Sequence, residues 1–334
     1  MRSPCVAVPK EAAERIRREL LSRGLLRKGL AIARDGDTIF IPVTDIEGLA
    51  YPVLEREFPE AFTPVRSYKD VADVPPELRP LMPTSYDIIG DIAIIKIPDE
   101  LARHEREIAR AVLAAHASVR VVAADAGVKG PLRIRDLRIL AGPNRTETVH
   151  REHGLAYKVD AARAYFSPRL GTERQRVANQ VQPGEVVVDM FAGVGPYAIL
   201  IAKRRKPEAV YAIDANPDAF RYLEENVRRN RADSIVPELG DALKAIDRVE
   251  PPNRVIIDYP QDPDPAYHAA LSRLRRNGTI HYYAILETAE REDREHDIVE
   301  GAKALNRNAD IISLREVHGW SPTQRLFAFD VRVS

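Results

Sequence analysis

The carboxyl-terminal half of the chain reads as short apolar runs that alternate with segments of helical spacing. VVVDMF precedes the glycine turn AGVGP and an apolar helix to Lys203, and AVYAID precedes ANPDAFRYLEENVRRN. Asn216 and Pro217 suit the cap and first turn of that second helix. SIVPELGDA, RVIIDYP, TIHYYAI, ADIISLREV and RLFAFDVRV continue the strand series. Strands and helices alternating at this length predict an α/β fold, a doubly wound and mostly parallel sheet over residues 181–334.

The amino-terminal half is less regular. Residues 10–22 place apolar positions at helical spacing, whereas DTIFIPVTD and AYPVLEREF read as strands, which predicts a small α/β domain over residues 1–70. Between Phe58 and Pro83 lie Pro59, Pro64, Pro75, Pro76, Pro80 and Pro83, and this density predicts a linker at 71–84. YDIIGDIAIIKIP follows as a strand pair bent at Gly90, then the helical DELARHEREIARAVLAAH and the strand VRVVAAD. These predict a middle α/β domain over residues 85–180.

Apolar residues at 45% and charged residues at 30% describe a globular, highly charged protein. One cysteine, Cys5, cannot form an internal disulfide, which fits a reducing compartment. With no apolar signal core and no run of about 18 apolar residues, a soluble, cytoplasmic protein is expected, and a monomer. Net charge is zero, but residues 101–185 hold 15 Lys/Arg against 9 Asp/Glu. That excess fits either a solvated face or an RNA-facing surface.

Chemistry enters at the strand ends. Asp189 closes an apolar strand, and Gly193 and Gly195 open the turn into a helix whose first N–H groups are unpaired. Ala198 stands where a dinucleotide fingerprint needs its third glycine, which disfavours a nicotinamide cofactor. Asp214 ends the next strand, where an acid can accept both ribose hydroxyls, and Asp241 follows the third, within reach of an adenine amino group. These acids could instead be helix caps. As a set with the glycine turn they describe an adenosyl pocket, with S-adenosyl-L-methionine the leading candidate.

DMFAGVGP, YAIDANP and GDA resemble the S-adenosylmethionine site of class I methyltransferases, covering Phe191, Ala192, Gly193, Gly195, Asp214, Ala215, Asp241 and Ala242. Upstream, RIRDLRILAGPNRTETVHREHGLAYKVDAARAYFSPRLGTERQRV is similar to the archaeal and eukaryotic tRNA (guanine-37-N1)-methyltransferase family. The match covers residues 85–334, and the first 70 resemble that family's small tRNA-recognition domain more weakly. The resemblance implies methylation of N1 of guanine 37, the base 3′ of the anticodon. It makes Glu173 the general base and sets Arg133 against O6, with Arg135 as an alternative. It sets Tyr165 and Arg169 at the methionine end of the cofactor and Arg174 nearby, against Glu173 or a phosphate. Arg145, with Arg135 and Arg174, would face RNA. Spacing alone also allows Glu173 to be a helix acid paired with Arg169 or Arg176.

The chemistry suits those roles. Guanine N1 carries a proton, so methyl transfer needs a base beside it and a donor for the charge that grows on O6. No metal is needed; His150 and His153 are three apart but form no ligand-spaced cluster. One departure concerns Asp258, Tyr259 and Pro260, where most of the family has Asn-Leu-Pro. An ionised Asp only accepts hydrogen bonds, so Asp258 would meet N1–H or N2–H and could share the base role, besides facing the methyl group. Tyr259 could stack on the extruded base. Two alternatives on the same scaffold are a wyosine-pathway enzyme that methylates a carbon of the tricycle at this tRNA position and one that transfers an aminocarboxypropyl group.

Overall fold

The computed structural model describes every residue except 61–66, 131 and 133. The chain divides into two compact units, Met1–Asp70 and Val71–Ser334.

In the first unit, β1 (Arg2–Pro9) leads into α1 (Lys10–Ser22), followed by β2 (Ala33–Asp35), β3 (Thr38–Pro42) and β4 (Val53–Glu57). The sheet has the order β2-β3-β1-β4, antiparallel throughout. Alternate residues Val6 and Val8 of β1 meet Ile16 and Leu20 of α1, four apart on one helical face, in a small buried core with Ile41 and Val43.

The second unit opens with the proline-rich stretch expected as a linker. Ala72, Val74 and Met82 within it are buried, and Arg79–Leu81 forms a 3₁₀ turn, so its prolines shape packed turns and not a free tether. A four-stranded sheet follows: β5 (Asp87–Ile89), β6 (Ile92–Ile95), β7 (Val121–Lys129) and β8 (Ile134–Ala141), in sequence order. The chain crosses from β6 to a parallel β7 through α2 (Glu105–Ala115), as a parallel pair requires. The hairpin β9 (Glu147–Glu152) and β10 (Leu155–Asp160) leads to α3 (Gly171–Gln180). The middle domain was expected to run to residue 180, but Val177 and Ala178 of α3 pack into the core of the sheet that follows.

That sheet has seven strands: β11 (Val186–Asp189), β12 (Ala209–Asp214), β13 (Ile235–Leu239), β14 (Arg254–Ile257), β15 (Gly278–Glu287), β16 (Ala309–Gly319) and β17 (Gln324–Val333). Their order is β13-β12-β11-β14-β15-β17-β16, with the first five parallel and β17 antiparallel to both neighbours. Helices α4 (Pro196–Arg205), α5 (Pro217–Asn230), α6 (Ala242–Ala245), α7 (Asp264–Arg273) and α8 (Arg291–Lys303) complete it. Val187, Val210 and Ile256 point to the α3–α4 side, while Val188, Val255 and Ile257 point to the α7–α8 side. Both faces are therefore covered, which is why these strands are apolar without alternation. From β11 the chain winds one way to β12 and β13, then the other way to β14 and β15. The crevice outside the carboxyl ends at that reversal is where open α/β sheets bind ligands. Among the described residues no helix is long and apolar enough to cross a membrane.

Candidate active site

A cavity of about 340 Å³ lies at that reversal. The side formed by the glycine turn is built mostly from backbone. Gly193 adopts φ +55°, and its N–H donates to Asp214 Oδ2 at 2.7 Å, while Asn216 N–H donates to Asp214 Oδ1 at 2.8 Å. The glycine turn thus fixes the acid that ends the neighbouring strand. Gly195 has a different task. Its φ is +90°, and a Cβ there would sit 2.6 Å from Leu223 Cδ1, so the glycine lets the start of α4 approach α5. Asp241 accepts from Leu243 N–H at 3.0 Å and caps α6, yet it also lines the cavity. Capping and facing the cavity, open alternatives in the sequence, prove compatible.

Phe191, Ala192, Gly193, Asp214, Ala215, Asp241, Asp258 and Tyr165 all line the cavity. Gly195 and Ala242 do not; Ala242 is buried beneath it. Phe191 stacks on Tyr259 at 4.9 Å between ring centres and 21° between planes, and Pro260 follows in the same wall. Among the described residues, four wall residues are aspartates, Asp214, Asp241, Asp258 and Asp262, against one guanidinium, Arg174. That balance, together with Ala215, Ala219 and Leu243, suits a cationic nucleoside with an apolar base, such as a sulfonium. Beneath the wall, burial pushes the Asp189 carboxyl up to about 8, helped by nearby Asp258 and Asp214. Burial also raises Asp214 above the usual carboxylate range.

The family models matching the chain are the TRM5/TYW2 methyltransferase domain over residues 148–311, the TYW2 N-terminal domain over 71–146 and the tRNA methyltransferase 5 N-terminal domain over 5–48. Trm5b of Pyrococcus abyssi, a tRNA (guanine(37)-N(1))-methyltransferase, is 40% identical over 332 residues, 98% of each chain. The chain belongs to the TRM5/TYW2 methyltransferase family. The crystal structure of wild-type Trm5b from Pyrococcus abyssi superposes with a TM-score of 0.82 over 99% of each chain, at 40% identity. A complex of aTrm5 with tRNALeu has a TM-score of 0.78 and 30% identity over 99% of each chain. The 4-demethylwyosine(37)-methyltransferase Taw21 of Saccharolobus solfataricus is 39% identical over 209 residues, 62% of this chain and 80% of that protein.

The acceptor side of this TRM5/TYW2 site differs from the sequence expectation in several places. Glu173 is 2% exposed and does not line the cavity. Its carboxylate accepts from Arg176 at 2.7 and 2.9 Å and from the Tyr283 hydroxyl at 2.7 Å. The pairing with Arg176 allowed by spacing is present, but buried and not on the surface. The Tyr197 hydroxyl donates to that of Tyr283 at 3.2 Å, and Tyr197 does line the cavity, so one hydroxyl pair separates Glu173 from the wall. Burial raises both tyrosines well above their ordinary value.

Arg169 lies outside the wall and pairs with Asp87 at 2.7 Å. Arg174, expected against Glu173 or a phosphate, is instead a buried wall residue. It donates to Glu152 and to the Ser167 carbonyl, both at 2.8 Å, and its Nε has no partner among the described residues. Arg135 is held by Asp87 at 3.0 Å and Asp125 at 3.5 Å and does not itself line the wall, although its guanidinium lies 5.9 Å from the centre of the Tyr165 ring, which does. Arg133 lies outside the described residues, although its neighbour Leu132 lines the cavity. Arg145 pairs with Asp91 in a separate concavity beside Thr148 and His150. The wall residues that the sequence did not point to include an aromatic pair. His318 and Trp320 stack at 6.3 Å and 19° near the turn between β16 and β17, and nothing local to HGWSP announces that they reach the cavity.

Proposed function

We propose that this enzyme methylates N1 of guanine 37 in tRNA, with S-adenosylmethionine as donor. The observation that carries the reading is the match to Trm5b along 98% of the chain, set beside a cleft whose glycine turn and aspartates suit the cofactor. Asp214 would take the ribose hydroxyls, Asp241 the adenine edge, and Phe191, Ala192 and Ala215 the apolar faces. Buried Arg174, whose Nε has no partner among the described residues, is a better candidate than Arg169 for the methionine carboxylate. When bound, the cofactor supplies an electrophilic methyl group on a sulfonium.

In the acceptor half, Asp258 would accept from the Watson–Crick donors of the extruded guanine, while Tyr259 and Pro260 shape its entry. Glu173, held by Arg176 and Tyr283, would receive the N1 proton through the Tyr197 and Tyr283 hydroxyls that separate it from the wall. Arg133 would balance the charge on O6; Arg135 is less suited, since two aspartates already hold it. Arg145 and the basic middle segment would meet the anticodon loop, and the first unit the outer corner of the tRNA.

The identity with Taw21 supports a second reading, methylation of a wyosine precursor carbon at the same position. Nucleoside analysis separates the two. With a transcript carrying guanine 37, N1-methylguanosine is expected, and an A37 transcript should stay unmodified. A methylated tricycle formed only from demethylwyosine tRNA would favour the second reading, and no RNA product would remove both.

A further inference from the structure

A chain of charged and polar side chains runs through the interior of the seven-stranded sheet, and its members come from distant parts of the sequence. Glu185 accepts from Arg254 at 2.8 and 3.1 Å. Arg254 Nη1 reaches His281 Nε2 at 2.8 Å, and His281 Nδ1 reaches Asp330 Oδ1 at 2.6 Å. Asp330 also takes Gln180 Nε2 at 2.8 Å and Arg176 Nη2 at 2.9 Å. The same Arg176 nitrogen lies 2.7 Å from Glu173 Oε1. One guanidinium therefore serves two buried carboxylates.

Such an array is costly to bury and stabilises little beyond what apolar packing would, so a role beyond stability is the better account. Its protonation is well defined. His281 is 1% exposed and burial lowers its proton affinity, while the Arg254 guanidinium can only donate to Nε2. The neutral ring thus carries its proton on Nδ1 and donates it to Asp330. Burial opposes ionisation of Asp330, but His281 and Arg176 outweigh it and hold the carboxyl below its usual range. Asp330 is thus a full negative charge next to Arg176.

We infer that Arg176 is a positioning residue of the reaction: by dividing one positive charge between Glu173 and Asp330, it sets how readily Glu173 accepts the proton of guanine N1. The inference rests on the reading of Glu173 as the base. Other groups facing Glu173 among the described residues are Tyr283 of β15 and Arg315 of β16, whose Nε is 3.8 Å away. Tyr197 of α4 stands behind Tyr283, with Asp258 near both tyrosines. None of these bonds both carboxylates, which gives Arg176 and Asp330 opposite effects. Neutralising Asp330 leaves the whole guanidinium to Glu173 and makes it a weaker base. Removing Arg176 leaves two carboxylates facing each other and raises the proton affinity of Glu173.

The test is the single-turnover methylation rate of the intact enzyme on guanine-37 tRNA as a function of pH, with cofactor affinity and melting temperature recorded for each variant. Asp330→Asn should move the acid limb down by about one pH unit and lower the plateau several-fold, and Arg176→Gln should move it up by about one unit or more. Cofactor affinity should stay at the parent value in both. Limbs that coincide with the parent's, or that move in the same direction, overturn the inference. If Arg176→Gln fails to fold, Asp330→Asn decides alone: a downward shift supports the inference, and no shift or an upward one overturns it. Glu173→Gln is the control. If it keeps the parent rate, the base reading and the inference fall together. If it is inactive while the limbs stay put, only the inference falls.

Discussion

The two halves of the cleft are built on different principles. On the cofactor side, Gly193, Asp214 and Asn216 fix one another through bonds that span 2 and 21 residues, and backbone N–H groups do the holding. On the acceptor side, Glu173 is held by Tyr283, 110 residues away, and its partner Arg176 by Asp330, 154 residues away. The first half needs one strand–turn–helix unit and its neighbour. The second exists only once β15, β16 and β17 have closed the sheet. A binding pocket for a common cofactor can be local, whereas the proton chemistry proposed for Glu173 depends on the whole domain.

The difference predicts distinct failures. The largest effect expected is that of Glu173→Gln, which should cut the single-turnover rate by roughly 10²–10⁴-fold, the usual worth of a general base, while Asp258→Asn keeps measurable activity. The reverse ranking would move the base to the cavity wall. Asp214→Ala should weaken cofactor binding about tenfold to a hundredfold, the worth of hydrogen bonds to a charged group, measured by calorimetry. Gly195→Ala should act on stability, since the new Cβ would clash with Leu223 at a positive φ. A loss of about 1–3 kcal/mol is expected in denaturant titrations, and an unchanged midpoint would show that α4 and α5 can move apart.

The effect at Asp189 should be visible only against pH. Its folded-state value of about 8 lies above that of an unfolded aspartate, so its contribution is full below about pH 4 and lost as pH rises through 8. Asp189→Asn should therefore melt with the parent at pH 4 and above it at pH 9. Equal melting temperatures at both would mean that the carboxylate is solvated or paired when ionised.

The same contrast explains what could be read from the sequence. Period, glycine turn and strand-tip acids are local signals, and they marked the parallel sheet, Gly193, Asp214 and Asp241. The role proposed for Glu173 rests on resemblance, because an acid three residues before an arginine on a helix looks the same whether solvent or a buried aspartate lies beyond it. Arg169 and Arg135 bear the right charge in the right segment, yet Asp87 of β5 captures both. No spacing rule reaches that far. Trp320 enters the cavity through the turn between two antiparallel strands whose register is fixed only by pairing.

A double measurement on two variants tests the division of labour most directly: the equilibrium affinity for S-adenosylmethionine and the single-turnover rate at saturating cofactor, for Glu173→Gln and Asp214→Ala together. Glu173→Gln should bind cofactor like the parent and lose the chemistry, whereas Asp214→Ala should bind poorly and recover most of its rate at saturation. If Glu173→Gln loses cofactor affinity as severely as Asp214→Ala, the two halves are one site and the account is wrong.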